Sequence, residues 1–190
     1  MRFADIGLSD ELLKAVTEAG YDEPTPIQAA AIPQVQMMRD IIAIAQTGTG
    51  KTASFVLPMI DVLANGRARA RMPRSLVLAP TRELANQVAT EITTIGKHKG
   101  VRCLPIYGGV GYGPPNEGLA AGAHVVVGTP GRILDHLGNA RLKLDRLKFF
   151  VLDEADELLS LGFWPDMREI EKYLPPKEAR QTCLFSATMP

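Results

Sequence analysis

The stretch "IIAIAQTGTGKT" (41–52) decides the fold prediction, because an apolar run passes directly into a glycine-rich turn and a helix start. Gly48 and Gly50 permit backbone angles that other residues avoid, so successive amide groups can turn inward on a phosphate chain. The start of the following helix adds its dipole. Lys51 can reach the terminal phosphates, and Thr52 can place its hydroxyl on Mg²⁺. The stretch therefore predicts a phosphate-binding loop between a strand and a helix.

One position departs from the general pattern G-x-x-x-x-G-K-[ST]. The pattern begins with glycine, where this chain has Ala45. A glycine-rich turn without a ligand is the alternative interpretation. The apolar run before the turn and the helix-like segment after it favour the phosphate loop, because that context is what the motif requires.

Outward from this stretch, apolar runs alternate with helix-like segments. Most runs lack polar alternation, as strands buried on both faces do. The runs lie at residues 41–44, 76–79, 103–107, 125–127, 149–152 and 182–185. The helix-like segments lie at residues 51–63, 82–95, 131–137 and 157–161. This order predicts an α/β domain with an open, mostly parallel sheet and helices on both faces.

A second chemical signal is "VLDEADELL" (151–159), which places Asp153, Glu154 and Asp156 directly after an apolar run. Acidic residues at a helix start interact favourably with the helix dipole, so a helix start would be enough to explain these three residues. At the carboxyl end of a parallel strand they could instead hold a divalent cation and a water. The phosphate loop favours the second interpretation. Asp153 would then hold the metal through its water shell, and Glu154 would orient the attacking water.

Composition limits the class of protein. The 190 residues are 46% hydrophobic and 22% charged, which favours one domain with one well-buried core. Lys plus Arg and Asp plus Glu are both 21, so the net charge is zero. Any site for a polyanion must therefore be local.

Cysteine usage and hydropathy indicate a protein of a reducing compartment inside the cell. Cys103 and Cys183 lie in apolar runs without metal-ligand spacing, which is typical of small core residues in a reducing environment. The start of the chain has no signal-peptide core, and no run of about 18 apolar residues occurs. We expect a cytoplasmic protein, or a nuclear one in a cell that has a nucleus, that is monomeric and does not bind membranes.

Seven segments in one order resemble the motifs of DEAD-box ATP-dependent RNA helicases, in their first RecA-like domain. They are "GYDEPTPIQ" (20–28), "AQTGTGKT" (45–52), "PTRELA" (80–85), "GG" (108–109), "TPGR" (129–132), "DEAD" (153–156) and "SAT" (186–188). The resemblance runs from Phe3 to Thr188. It implies a RecA-like phosphate-loop domain over residues 1–190, in which residues 1–37 lead into a core of 38–190. It also implies ATP and Mg²⁺ as cofactors, with Lys51, Asp153 and Glu154 as catalytic residues.

The resemblance also implies which residues hold the nucleotide. They are Phe3, Tyr21, Gln28, Gln46, Thr47, Gly48, Thr49, Gly50, Lys51 and Thr52. Gln28 is expected to recognise adenine through its carboxamide. Phe3 is expected to stack near the adenine, supported by Tyr21. The residues themselves also predict a capping box from Thr25 to Gln28 with Pro26 at the first helical position, and a hydrophobic anchor is the alternative for the two aromatics.

By the same resemblance, loops at strand ends bind the RNA backbone without reading base identity. The expected contacts are Pro80, Thr81, Arg82, Gly108, Gly109, Thr129, Pro130, Gly131 and Arg132. Two helix N-termini and two guanidinium groups can bind sugar-phosphate oxygens. A chain with zero net charge can therefore bind a polyanion through a small local patch. A plain Thr-Pro helix cap is the alternative interpretation of either loop.

The resemblance further implies that Asp156, Ser186 and Thr188 link the nucleotide site to the motion of a second RecA-like domain. Nothing in the sequence resembles that domain, which supplies arginines to the nucleotide in the family. We therefore expect the chain alone to bind adenine nucleotide and to unwind nothing. An ATP-dependent RNA clamp and a DNA-directed helicase are the alternative functions.

Two segments are predicted to be flexible loops. One is arginine-rich "NGRARARMPRS" (65–75), interpreted as a solvated surface turn, and the other is "GGVGYGPPNEG" (108–118). Met38 stands where many members of the family have glycine, so we expect the turn into the first strand to differ slightly.

Overall fold

The computed structural model describes residues 2–46, 50–64, 72–96, 99–107 and 113–188. Within them the helices are α1 (Asp10–Glu18), α2 (Pro26–Gln36), α3 (Lys51–Ala64), α4 (Arg82–Gly96), α5 (Gly113–Ala121), α6 (Pro130–Gly138), α7 (Ala155–Ser160) and α8 (Trp164–Glu171). The strands are β1 (Ile41–Ile44), β2 (Ser75–Leu78), β3 (Cys103–Ile106), β4 (Val125–Gly128), β5 (Phe149–Leu152) and β6 (Gln181–Ser186). Short 3-10 turns lie at Phe3–Asp5 and Lys177–Ala179.

The strands form one parallel sheet in the order β1-β6-β5-β2-β4-β3. Leu78 pairs with both Gly128 and Leu152, while Leu152 pairs with Leu184 and Ile44 with Ser186, so all carboxyl ends lie at one edge and β1 and β6 extend two residues beyond β5. Every predicted strand is present, with ends that differ by at most one residue. The predicted α/β fold class is confirmed.

Side chains of the inner strands alternate between two apolar cores, one on each face of the sheet. Val77 of β2 belongs to the first core, which also contains residues of α1 to α4. Its neighbours Leu76 and Leu78 belong to the second core, with residues of α6 to α8. Because both faces are covered, these strands need apolar residues at every position and show no polar alternation.

The edge strand β1 is covered on one face only. Ile41 and Ala43 pack in or against the first core. Ile42 and Ile44 point the other way and are 64% and 46% exposed. Burial on both faces, which the apolar run suggested, does not extend to β1, because no residue of this strand belongs to the second core.

The glycine- and proline-rich segment is partly helical, which corrects the prediction of a flexible loop. α5 begins at Gly113 and includes Pro114 and Pro115 in its first turn. A first turn tolerates proline because its N–H groups have no partner inside the helix, and the fixed φ of proline suits a helix start. Residues 65–71 of the arginine-rich segment and residues 108–112, with Gly108 and Gly109, lie outside the described residues.

The turn into β1 holds a methionine in a backbone conformation suited to glycine. Met38 has a φ of 59°, and its side chain is 42% exposed. The left-handed region costs an L-residue about 1–2 kcal/mol because its Cβ approaches the following carbonyl oxygen. Met38 therefore carries local backbone strain.

Cys183 lies in the first core and Cys103 packs against it, as the sequence predicts. Cys103 in β3 and Cys183 in β6 are both free thiols. Burial raises the pKa of each to about 12, so both remain protonated and unreactive at neutral pH. In the described part of the chain, no helix combines the length and apolarity needed to cross a membrane.

Candidate nucleotide and RNA site

The chemically distinctive residues gather at the carboxyl edge of the sheet. α3 begins with Lys51 shortly after β1, Asp153 and Glu154 follow β5, and Ser186 ends β6. β1, β6 and β5 are neighbours in the sheet, so three segments far apart in sequence meet at one place. Open α/β sheets bind ligands at this edge because the loops after parallel strands converge there.

The ammonium group of Lys51 lies between the two acids that follow β5. Its Nζ is 3.3 Å from Asp153 Oδ1 and also donates to Glu154 Oε1. The side chains of Lys51 and Asp153 are only 5% and 3% exposed, and that of Glu154 is 12% exposed. The three residues predicted to be catalytic are therefore one buried ion cluster.

The cluster holds two carboxylates against one ammonium group. Burial raises the pKa of Asp153, the charge of Lys51 lowers it and Glu154 raises it again, so that the pKa lies above its ordinary value. Burial prevails because the ionised carboxylate loses its hydration and Lys51 is shared between two acids. The cluster thus favours a further positive charge.

A divalent cation fits this donor set. Among the described residues, no three His, Cys, Asp or Glu side chains gather in a group that could form an all-protein cage. Mg²⁺ is typically held by one or two carboxylates, with water and substrate phosphates as its other ligands. Asp153 and the Thr52 hydroxyl line the same hollow beside Lys51 and could hold such an ion.

Glu154 adopts a left-handed backbone conformation, with φ and ψ both 53°. Such a conformation costs a non-glycine residue about 1–3 kcal/mol and occurs often at functional sites. It turns the chain between β5 and α7, and the Glu154 N–H donates to Asp153 Oδ1 at 3.1 Å. α7 begins at Ala155 with Asp156 in its first turn. The helix-start interpretation is therefore confirmed for Asp156, while Asp153 lies at the strand end, where its hold on a divalent cation stays a prediction.

Gln28 connects the start of α2 to the start of α3. The capping box is present: Gln28 Oε1 accepts from the Thr25 N–H at 3.0 Å, and Thr25 Oγ1 accepts from the Gln28 N–H at 3.4 Å. Gln28 Nε2 donates to the Gly50 carbonyl at 3.1 Å, and the residue is 1% exposed. The predicted cap is confirmed, while contact of Gln28 with adenine stays a prediction.

The space between the two helix starts requires glycine at position 50. Gly50 has a φ of +80°, and a Cβ there would lie 2.2 Å from Gln28 Nε2. No side chain could occupy that position without displacing the amide of Gln28. Gly50 therefore permits both the backbone turn and the close approach of α2.

The two aromatic residues predicted near the adenine contact each other. Phe3 is 5% exposed, and its ring meets Tyr21 edge to face at 6.2 Å between centroids. The Tyr21 hydroxyl donates to Glu91 Oε1 at 2.5 Å. Burial raises the pKa of both Tyr21 and Glu91, and Glu91 adds to the rise at Tyr21. Phe3 is thus a hydrophobic anchor in this structure, and its stacking on adenine stays a prediction.

A hollow of about 240 Å³ opens beside the ion cluster. Its lining joins Lys51, Thr52 and the two acids to Tyr21 and Glu91. A larger hollow of about 440 Å³ lies beside β3, but it is lined mainly by apolar residues and glycines. The candidate site is therefore identified by the charged and polar side chains that line the smaller hollow, and not by the size of the hollow.

Three residues predicted to couple domains form one hydrogen-bonded group. The Thr188 hydroxyl donates to Asp156 Oδ2 at 3.1 Å, and the Asp156 N–H donates to Ser186 Oγ at 3.2 Å. Partial burial raises the pKa of Asp156, but hydrogen bonds with Thr188 and Ser186 outweigh it and leave the pKa below its ordinary value. Gln46 also reaches this segment, since its Nε2 donates to the Ala187 carbonyl at 3.4 Å. The end of β6 is therefore tied to the acidic helix start.

The two predicted RNA loops differ in how their threonines are used. Thr81 Oγ1 accepts from the Leu84 N–H at 3.2 Å, so Thr81 caps α4 as the plain alternative predicts. Thr129 is the N-cap residue of α6 and is followed by Pro130 at the helix start, as that alternative predicts, but its side chain makes no cap hydrogen bond. Pro80 and Pro130 are buried, and Gly131 is exposed. Binding of RNA by these loops stays a prediction.

The two predicted RNA-binding arginines also have different neighbours. Arg82 is exposed, and its guanidinium carbon lies 5.0 Å from the centre of the Tyr107 ring. Arg132 is part-buried and forms an ion pair with Asp135 on the same helix, with 3.5 Å between Nη1 and Oδ2. Arg82 therefore has the more accessible cation.

Five predicted site residues, namely Thr47, Gly48, Thr49, Gly108 and Gly109, lie outside the described residues. Two residues of the site were not predicted from the sequence: Glu91, which lines the hollow, and Tyr107, which contacts Arg82. Tyr107 stands directly before the double glycine, so an aromatic residue at a strand end was a signal for it. Glu91 lies within a regular helical pattern, and no local signal distinguishes it.

Comparison with known proteins identifies relatives of this chain. The family model for "DEAD/DEAH box helicase" matches residues 25–190. The chain is 50% identical over 188 residues to the DEAD-box ATP-dependent RNA helicase CshA of Bacillus cereus, covering 99% of this chain and 35% of that protein. It is 49% identical over 189 residues to the ATP-dependent RNA helicase DeaD of Escherichia coli (strain K12), covering 99% of this chain and 29% of that protein.

A solved structure shares the fold. The crystal structure of a DEAD box protein from the hyperthermophile Methanococcus jannaschii has a TM-score of 0.91 and 42% sequence identity. The match covers 100% of this chain and 51% of that one. The chain thus spans about a third of the length of the curated relatives above and about half of this crystallised one.

Proposed function

Because this chain belongs to the DEAD/DEAH box helicase family, we propose that it is the nucleotide-binding domain of an ATP-dependent RNA helicase. The observation that carries the proposal is the buried cluster of Lys51, Asp153 and Glu154. A lysine at a helix start beside strand-end carboxylates is the arrangement that phosphoryl transfer from a Mg-nucleotide uses. ATP and Mg²⁺ are the proposed cofactors, and the RNA backbone is the proposed partner of a protein that works in the cytoplasm.

Each residue of the cluster has a proposed task. Lys51 binds the terminal phosphates, while Thr52 and Asp153 hold the magnesium, Asp153 largely through water. Bound Mg²⁺ supplies positive charge that neutralises the phosphoryl oxygens. When Lys51 turns to phosphate it releases Glu154, whose carboxylate is then available to orient a water.

Gln28 is the proposed adenine contact. Counting only partners within the described residues, its Oε1 and Nε2 each make one hydrogen bond, to Thr25 and to Gly50. A carboxamide oxygen accepts two hydrogen bonds and its nitrogen donates two, so one acceptor and one donor remain for an adenine edge. Nucleotide entry must uncover this side chain, which is 1% exposed.

The proposed helicase needs a second RecA-like domain. We propose that Asp156, Ser186 and Thr188 transmit nucleotide occupancy to that domain, and that it supplies arginines to the transferring phosphoryl group. Loss of such an arginine lowers phosphoryl-transfer rates about 10³- to 10⁵-fold in related mechanisms. The chain alone is therefore proposed to bind adenine nucleotide, as a monomer, and not to unwind RNA.

Titration with fluorescent ADP in Mg²⁺, followed by competition with unlabelled ADP and GDP, tests the nucleotide proposal. We expect binding, stronger competition by ADP, loss of binding in Lys51→Ala, and near-normal binding in Glu154→Gln. Lys172→Ala is the matched control, because Lys172 is an exposed surface lysine that pairs with Glu169. Equal competition by GDP would leave a phosphate site but would refute adenine recognition. Failure of the wild-type chain to bind ADP would refute the proposal for this chain.

A second titration separates RNA from DNA. The phosphate contacts proposed for Arg82 and Arg132 would serve either polymer, and the 2′-hydroxyl is the group that distinguishes them. We expect single-stranded RNA to bind more tightly than DNA of the same sequence. Equal affinity would favour a DNA-directed or unselective translocase instead.

A further inference from the structure

We infer that Tyr107 positions the guanidinium group of Arg82 for contact with an RNA phosphate. The inference rests on the proposed RNA binding and deepens it, because Tyr107 was not among the predicted contacts. The Arg82 guanidinium carbon lies 5.0 Å from the centre of the Tyr107 ring. This distance is within the range of about 6 Å in which a cation and an aromatic face attract each other.

The contact spans the carboxyl edge of the sheet. Arg82 is the first residue of α4, which follows β2, and Tyr107 directly follows β3. β4 lies between β2 and β3 in the sheet, so the contact bridges two strand ends that are not neighbours. The Arg82 side chain therefore extends over the end of β4, toward Thr129 and the second proposed RNA loop.

Tyr107 can hold this position because its own ring is anchored. It is half-buried and packs against the first core, whereas Arg82 is exposed. An exposed arginine samples many rotamers, and ordering it on binding reduces affinity. A fixed ring beneath the guanidinium group lowers that cost, and the N–H groups at the edge of the guanidinium plane stay available to phosphate oxygens.

Arg132, the other proposed RNA-binding arginine, is held in a different way. It pairs with Asp135 one turn along the same helix. A carboxylate partner competes with phosphate for the guanidinium group, but an aromatic face does not. The ring contact with Tyr107 orients Arg82 without using its N–H groups, whereas the ion pair of Arg132 with Asp135 uses Nη1.

The test measures binding of the 190-residue chain to a fluorescein-labelled 20-nucleotide single-stranded RNA, by anisotropy over a range of salt concentrations. The variants are Tyr107→Phe, Tyr107→Leu, Arg82→Ala and the double variant Arg82→Ala with Tyr107→Leu. Tyr173→Leu is the matched control, because Tyr173 is a 42% exposed tyrosine beyond the end of α8. Urea unfolding of each variant verifies that it is folded at the assay temperature.

We expect Tyr107→Leu to weaken binding about two- to fivefold, the range of a cation–π contact at an exposed site. Tyr107→Phe keeps the ring and should bind like wild type, as should Tyr173→Leu. Arg82→Ala should lower the magnitude of the salt slope by about 0.7, the value of one phosphate contact on a single strand, and Tyr107→Leu should move the slope in the same direction. In the Arg82→Ala background, Tyr107→Leu should have no further effect.

Several results would overturn the inference alone. They are wild-type affinity in Tyr107→Leu, equal losses in the Phe and Leu variants, and a loss in Tyr107→Leu that persists when Arg82 is already alanine. The last result would mean that Tyr107 acts independently of Arg82. If the wild-type chain bound no RNA at low salt, both the inference and the proposed RNA binding would fail, whereas the ADP titration would be unaffected.

Discussion

Lys51 Nζ lies 3.3 Å from Asp153 Oδ1, and both side chains are almost completely buried. The two residues are far apart in sequence and meet because β1 and β5 both end beside β6. One ammonium group shared between two carboxylates leaves the nucleotide-free site with excess negative charge. This excess charge supports the proposed binding of a cation, and we expect the cluster to be less than optimal for the stability of the nucleotide-free chain.

Asp153→Asn should stabilise the chain against urea at pH 7 when nucleotide and Mg²⁺ are absent. Burial raises the folded-state pKa of Asp153 above its unfolded value, so the folded state binds the proton more tightly. The stabilisation that protonated Asp153 provides is complete below its unfolded-state pKa of about 4. It is lost as the pH rises through the raised folded-state pKa. The advantage of Asp153→Asn should therefore shrink as pH falls toward 4.

Asp156→Asn is the control, because the pKa of Asp156 is shifted in the opposite direction to that of Asp153. The pKa of Asp156 is lowered by its hydrogen bonds, so this group stabilises the fold above its unfolded pKa, and that stability is lost as pH falls through the lowered value. Asp156→Asn should be less stable than wild type at pH 7, with a deficit that narrows at low pH. The same pH trend in both variants would contradict the assignment of their environments.

Gln28→Ala should destabilise the nucleotide-free chain by about 2 kcal/mol, because it removes two hydrogen bonds worth about 1 kcal/mol each. One is the capping-box bond from the Thr25 N–H, and the other joins Gln28 to the Gly50 carbonyl. Urea unfolding without nucleotide measures the loss. Gln34→Ala on the same helix is the control, since its partner Arg39 is exposed, and we expect a change below about 0.5 kcal/mol. An unchanged Gln28→Ala would leave adenine contact as the only role of this side chain.

Gly50→Ala should cost more stability than Gly20→Ala, although both glycines have positive φ. A Cβ at Gly20 meets nothing within 4 Å, so that variant should show only the backbone penalty of about 1–2 kcal/mol. At Gly50 a Cβ would also lie 2.2 Å from Gln28 Nε2. In a double-mutant cycle, Gln28→Ala should recover part of the extra cost by removing the clash. Additive effects of the two substitutions would show that the clash is relieved in another way.

Met38→Gly should stabilise the chain by about 1 kcal/mol, because glycine adopts the φ of 59° without the Cβ strain that methionine carries. Met37→Gly is the matched control. Met37, the preceding residue, is also exposed, but its φ is −80°. Glycine at position 37 relieves no strain and only increases the entropy of the unfolded state, so Met37→Gly should destabilise the chain. Thermal or urea unfolding of both variants tests the difference in sign.

The sequence alone predicted the strand positions, the parallel α/β class and the residues of the phosphate and acidic segments. These features depend on local patterns: apolar runs of strand length, glycines at a turn, and acids directly after a strand. The capping box from Thr25 to Gln28 was predictable for the same reason, since all its atoms lie within four consecutive residues. The prediction of a loop was wrong for α5, because proline is compatible both with a loop and with the first turn of a helix.

Only the tertiary structure decided which predicted residues meet. The strand order brings the ends of β1, β6 and β5 together and makes one buried cluster of Lys51, Asp153 and Glu154. The hydrogen bond of Gln28 to Gly50, the contact of Tyr21 with Glu91 and the contact of Arg82 with Tyr107 have no local signature. Local sequence patterns specify the conformation of one segment, whereas contacts between segments depend on how the sheet and its helices pack around both cores.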